Sequence, residues 1–208
     1  MMKRIAIIMT LALGCFLANG QNNKEHALIA KMAGIDSAKV YNASIFGVKS
    51  NGLIDNTTSF QKAVDFISAN GGGILYISVG RYLTGAVQLK DNVTVYIRGT
   101  VVGSPNIFDY QGRKAIFWAE GAKNVAIVNG VMEGNGPAIR EQVRTLREKS
   151  LISDDCVLPA LISFKDCTNA KAKKVVCRYA AASELYISDN SDADFEDCVD
   201  DTVSSETK

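Results

Sequence analysis

Four stretches of this chain repeat one plan, a polar turn residue followed by small or apolar residues at alternating positions. They are DNVTVYI from Asp91, KNVAIVNG from Lys123, TNAKAKKVVC from Thr168 and SDADFEDC from Ser191. Alternation of this kind is the period of a half-buried strand. The segment beginning at Asp166 recurs at Asp189, 23 residues on, and Asn92 recurs as Asn124, 32 residues on, which leaves room for a loop. Steps in the low twenties with asparagine at the turn predict stacked β coils, an all-β solenoid. Each coil gives short strands to parallel sheets, like residues stack on like, and turn asparagines can hydrogen-bond up the stack. In this register Cys167 lies one coil below Asn190 and packs inward. Ile74–Ile77, Val87–Leu89, Val93–Ile97, Val125–Ile127 and Leu161–Phe164 read as its strands, rich in β-branched and aromatic residues.

A solenoid exposes an apolar cross-section at its end, which needs a cap. The chain offers one immediately before the first coil. Phe60, Ala63, Val64 and Ile67 form an apolar stripe at helical spacing, Thr58 and Gln61 have capping-box spacing, and Asn70-Gly71 ends the run. No second strong helix follows, which argues against alternating β and α units.

Residues 1–20 read as a secretory signal peptide, positive at Lys3 and Arg4, apolar from Ile5 to Ala18, and closed by Ala18-Asn19-Gly20. Export to the periplasm or beyond follows from it. Cys15, preceded by Ala12-Leu13-Gly14, is a looser match to a lipoprotein site. Residues 21–40 form a lead segment, and residues 41–208 the coil domain. No other stretch is apolar for long enough to span a membrane. A net charge of +1 with no basic block argues against nucleic acid as a partner. Cys156, Cys167, Cys177 and Cys198 form no CxxC pair, and the lone histidine, His26, is remote in sequence, so no zinc site, no metal and no cofactor are expected. At most one disulfide is expected among them. The sequons at Asn42, Asn56 and Asn92 have a commoner reading as structural asparagines.

The stretch FGVKSNGLIDNTTSFQKAVDFISANGGGILYISVGRYLTGAVQLKDNVTVYI from Phe46 closely resembles the opening of the pectin-lyase-like, right-handed parallel β-helix proteins. GSPNIFDY at Gly103, IFWAEGAKNVAIVNGVMEGNG at Ile116 and LPALISFKDCTNAKAKKVV at Leu158 are similar to glycoside hydrolase family 28, the polygalacturonases. The resemblance runs from Tyr41 to about Asp200. It implies an exported, monomeric enzyme acting on acidic, pectin-type polysaccharide by inverting hydrolysis, in which one carboxylic acid protonates the glycosidic oxygen and a carboxylate pair activates water. In the family those aspartates lie in Asn-x-Asp-Gly and a following Asp-Asp, with Gly-His-Gly and Arg-x-Lys after them. The first motif is expected just past Lys208, none of these motifs is expected within the chain, and so no catalytic residue is assigned. The implied reading is the N-terminal part of such a hydrolase, truncated before its catalytic motifs and inactive alone. The alternatives are a sugar-binding or structural β-helix, or a pectate-lyase-type relative.

Asp154-Asp155 and Asp200-Asp201 are adjacent carboxylates, both read as solvated turns. Arg140, Arg144 and Arg147 fall on one side of a short surface helix in the polar insertion between Gly136 and Pro159, where a polyanionic sugar could use them. The competing reading pairs them with Glu141 and Glu148. Tyr110 and Trp118 could stack on sugars, against a core or loop role.

Overall fold

The computed structural model describes residues 24, 26–29, 31, 39–189 and 191–200. The expected signal peptide, Cys15, Asn190 and Asp201 lie outside them. The chain divides into two units. In the first, Met1–Val40, residues 24, 26–29 and 31 are helical. The second, Tyr41–Lys208, carries the coils.

A short strand β1 (Val40–Asn42) and a 3-10 turn lead into helix α1 (Thr57–Ala69). The first winding is β2 (Gly73–Ile77), β3 (Arg81–Thr84) and β4 (Val87–Gln88). The second is β5 (Val93–Ile97), β6 (Thr100–Gly103) and β7 (Ala115–Glu120). The third is β8 (Lys123–Val128), β9 (Val131–Glu133) and β10 (Ala160–Lys165), with helix α2 (Gly136–Glu148) inserted between the last two. The fourth is β11 (Thr168–Lys173), β12 (Val176–Arg178) and β13 (Tyr186–Asp189), and β14 (Ala193–Glu196) and β15 (Val199–Asp200) follow. Three sheets result, with orders β1-β2-β5-β8-β11-β14, β3-β6-β9-β12-β15 and β4-β7-β10-β13. From β2 onward, adjacent strands in all three sheets pair in parallel, including Thr94 against Ala126. This is a parallel β-helix, as the repeats predict.

The first-sheet interior row steps from Leu75 to Val95, Ile127, Ala172 and Phe195, intervals of 20, 32, 45 and 23 residues. The interval of 45 is the winding that contains α2. Like stacks on like outside too: Tyr76 lies on Tyr96 with ring centres 6.2 Å apart and planes 18° apart.

Asparagines mark the turn into the first sheet. Asn92, Asn124 and Asn169 all take left-handed backbone, with φ of 61°, 55° and 53°, a conformation asparagine tolerates better than most residues. Asn124 donates through Nδ2 to Asn92 Oδ1 at 2.9 Å, and Asn169 donates to Asn124 Oδ1 at 2.8 Å. The expected ladder is therefore present across three windings.

Helix α1 covers the open end. Phe60, Ala63, Val64 and Ile67 are fully buried, and the Phe60 ring meets Tyr82 and Phe117, each at 6.3 Å. Its N-terminus differs from the expected capping box. Asp55 Oδ1 accepts from the Thr57 amide at 3.0 Å, and no side chain caps from Asn56. Gln61 is committed elsewhere: its Oε1 accepts from Gln88 N at 2.8 Å and its Nε2 donates to Gln88 O at 3.1 Å. A tertiary backbone partner outcompetes the local cap.

Helix α2 is the surface helix expected in the polar insertion, but it is longer and better anchored than expected, which corrects the expectation of no second strong helix. It has the same 13-residue length as α1 and buries Ile139 and Val143. All four described cysteines are free; Cys167 and Cys177 are buried and Cys156 and Cys198 half-buried. Burial pushes the Cys177 thiol up to about 12, so it stays protonated at neutral pH. Among the described residues no helix is long and apolar enough to cross a membrane.

Candidate functional site

The outer face of the third sheet carries side chains in two rows. Register places Gln88, Trp118, Ser163 and Ile187 in one row and Glu120, Lys165 and Asp189 in the other. Alternate residues of the same strands, Val87, Phe117 and Ile162, fill the interior and are fully buried, so the outward rows follow from strand pleating alone.

A groove of about 400 Å³ lies along this face. Its walls include Thr58, Gln61 and Asp65 of α1, Gln88 and Lys90, and Arg113 and Trp118. A second hollow of about 200 Å³ continues past Arg113 and Trp118 to Glu120, Ser163 and Lys165. The far wall is the loop between β6 and β7. Tyr110 is its buried anchor, with Oη donating to Ser104 O at 2.9 Å; burial, reinforced by the neighbouring Asp109 charge, raises its phenol far above the ordinary value. Gln142 of α2 braces the same loop, accepting from Ile107 N at 2.7 Å and donating to Asn106 Oδ1 at 3.1 Å. Arg113 follows directly on this braced loop, and its guanidinium carbon lies 4.3 Å from the Trp118 ring centre, a cation–π contact.

The lysines here are paired. Lys90 meets Asp65 at 2.7 Å, Lys165 meets Glu120 at 2.5 Å and Lys114 meets Asp189 at 3.1 Å. Partial burial works to raise the Asp65 carboxyl, yet hydrogen bonds from Lys90 and Gln61 hold it below the usual value. The Lys165 hydrogen bond, then its charge, does the same to Glu120. Arg113 makes no ion pair among the described residues. A groove with amide, hydroxyl and aromatic walls and one unpaired cation suits a polar polymer bearing anionic groups.

The three arginines singled out from the sequence are placed apart from it. Arg140 Nη1 donates to Ala180 O at 2.8 Å, and Arg147 Nη2 to Cys156 O at 3.2 Å. Arg144 is held by Glu141 at 2.6 Å and Glu148 at 2.9 Å. None of the three lines the groove. The tripeptide Arg147-Glu148-Lys149 does spell Arg-x-Lys, contrary to the expectation from sequence, but it closes α2 and lies before the aspartate motifs would come, not after them. Neither Asn-x-Asp-Gly nor Gly-His-Gly occurs in the 208 residues. Asp154 and Asp155 are an exposed turn, whereas Asp200 sits in β15 rather than in the expected turn. Trp118 and Tyr110, named from sequence, line the groove, Tyr110 as a buried anchor; Arg113, Gln61, Gln88 and Lys90 were not singled out as site residues.

No family model matches the chain. In structure it is similar to a candidate glycosyl hydrolase from Parabacteroides merdae, at 35% identity and a TM-score of 0.76, over 82% of this chain and 78% of that one. It is similar in fold to a hyperthermoactive exopolygalacturonase from Thermotoga maritima, at 21% identity and a TM-score of 0.59, over 77% of this chain and 46% of that one. In sequence it is 31% identical over 121 residues to the exo-poly-alpha-D-galacturonosidase of Dickeya chrysanthemi, over 47% of this chain and 20% of that protein. The chain matches between 11% and 21% of the length of the curated relatives.

Proposed function

Since the chain belongs to the pectin-lyase-like β-helix proteins, related to the polygalacturonases of glycoside hydrolase family 28, we propose that it supplies the opening coils of an exported polysaccharide-degrading hydrolase. In this reading the third-sheet groove holds an acidic, galacturonan-type polymer. The signal-like N-terminus supports export. No step of cleavage is assigned to these 208 residues, and the reading concerns their grip on the polymer. The observation that carries the reading is the groove itself, with outward Gln88, Trp118 and Ser163 in register on successive windings.

The test is retardation of the chain in a native gel cast with polygalacturonate, against a gel with neutral galactan. Retardation by the acidic polymer alone, weakening as salt rises, is the expected result, since charge carries the discrimination. Equal mobility in both gels overturns the reading.

A further inference from the structure

The geometry points to Arg113 and Trp118 as one subsite with two arrangements, in which the carboxylate of a uronic acid unit draws Arg113 off the indole and opens the ring face to the sugar. This rests on the polymer-binding reading above and goes on to name the contact that tells acid from ester.

Three observations converge. Arg113 sits 4.3 Å over the Trp118 ring and so occupies the surface a pyranose would stack on. Its guanidinium makes no ion pair among the described residues, although its charge is felt at Glu120, while the nearby Lys90, Lys114 and Lys165 are ion-paired. Both residues line the main groove and its continuation, so a polymer running along the sheet passes this point. A planar guanidinium matches a carboxylate with two parallel N–H···O bonds, a stronger pairing than the cation–π contact it replaces. Arg113 is exposed and Trp118 half-buried, so the arginine can swing without disturbing the core.

Trp118 is the only tryptophan of the chain, so its emission reports this site alone. The experiment titrates the full chain with short oligogalacturonates and with their methyl esters, which keep the ring and remove the charge. The acid should change Trp118 emission at concentrations about tenfold or more below those the ester needs, the ratio expected for a charge-assisted pair. Arg113→Gln should already shift the emission of the free protein, weaken acid binding about tenfold, and make acid and ester alike. Arg113→Lys should fall between, since it keeps charge and loses the fork.

Gel retardation by polygalacturonate separates the two ideas. If Arg113→Gln is retarded as the wild type is, or if Trp118 emission stays constant while the polymer binds, the subsite is wrong and the polymer-binding reading survives. If nothing is retarded, both fall.

Discussion

Asn124 sits in the middle of the ladder, donating to Asn92 and accepting from Asn169. Its φ of 55° adds a second demand, since a residue with a Cβ is strained there. Two effects can therefore be separated. Asn124→Gly keeps the backbone conformation and loses the two exposed hydrogen bonds, at a cost of about 1 kcal/mol. Asn124→Ala loses the bonds and adds about 1 kcal/mol or more of left-handed strain. Urea unfolding should thus rank wild type above Gly above Ala; Ala equal to or more stable than Gly would refute this account. Besides Asn92 in the ladder, the sequon asparagines Asn42 and Asn56 also hold structural posts. Asn56, 1% exposed, accepts from Lys49 N and donates to Lys49 O, Ile54 O and Leu83 O. Asn42 accepts from Ser44 N.

Helix α1 is joined to the first winding by polar as well as apolar contacts, and one of them titrates. Lys90 reaches Asp65 at 2.7 Å, and the Asp65 carboxyl is held below its ordinary value. A carboxyl depressed in the folded state gives stability that is complete above its unfolded pKa, near 4, and lost as pH falls through the folded value. Asp65→Asn should therefore have a lower urea midpoint than wild type at neutral pH, and the gap should close as pH drops below about 4. A gap independent of pH would mean that the carboxyl's charge is irrelevant. The stripe of α1 was legible because Phe60, Ala63, Val64 and Ile67 obey a local period. Its cap was not, because the Gln61 partner lies 27 residues away on Gln88. In α2 the arginine spacing made a surface helix legible, but its buried side, Ile139 and Val143 four apart in a charged segment, was too faint a signal to show how firmly it is anchored. The coils were legible from the asparagines. The groove was not, because bringing Trp118 beside Gln88 and Ser163 depends on unequal winding lengths that only the fold fixes.

In a solenoid each winding touches only its neighbours, so the effect of a substitution should depend on where along the axis it falls. The interior is not uniformly sealed. Phe60 at the capped end and Phe164 in the middle are fully buried, whereas Phe195 is half-buried, packed on Phe164 at 5.8 Å and on Tyr186 at 4.8 Å. Phe60→Ala and Phe164→Ala should each cost about 3–5 kcal/mol through lost transfer energy and a residual cavity. Phe195→Ala removes less buried area and should cost about half as much. The spatial pattern is the sharper test. By amide hydrogen exchange, Phe195→Ala should weaken protection in β11 to β15 and spare β2 and β5, while Phe60→Ala should weaken β2 to β7 first. Both outcomes follow from parallel pairing between adjacent windings, since the broken contacts in each case lie within two windings of the substitution. Equal loss of protection across all strands in both variants would show that the coils open as a single unit, and that the cap at α1 stabilises the far end as strongly as the near one.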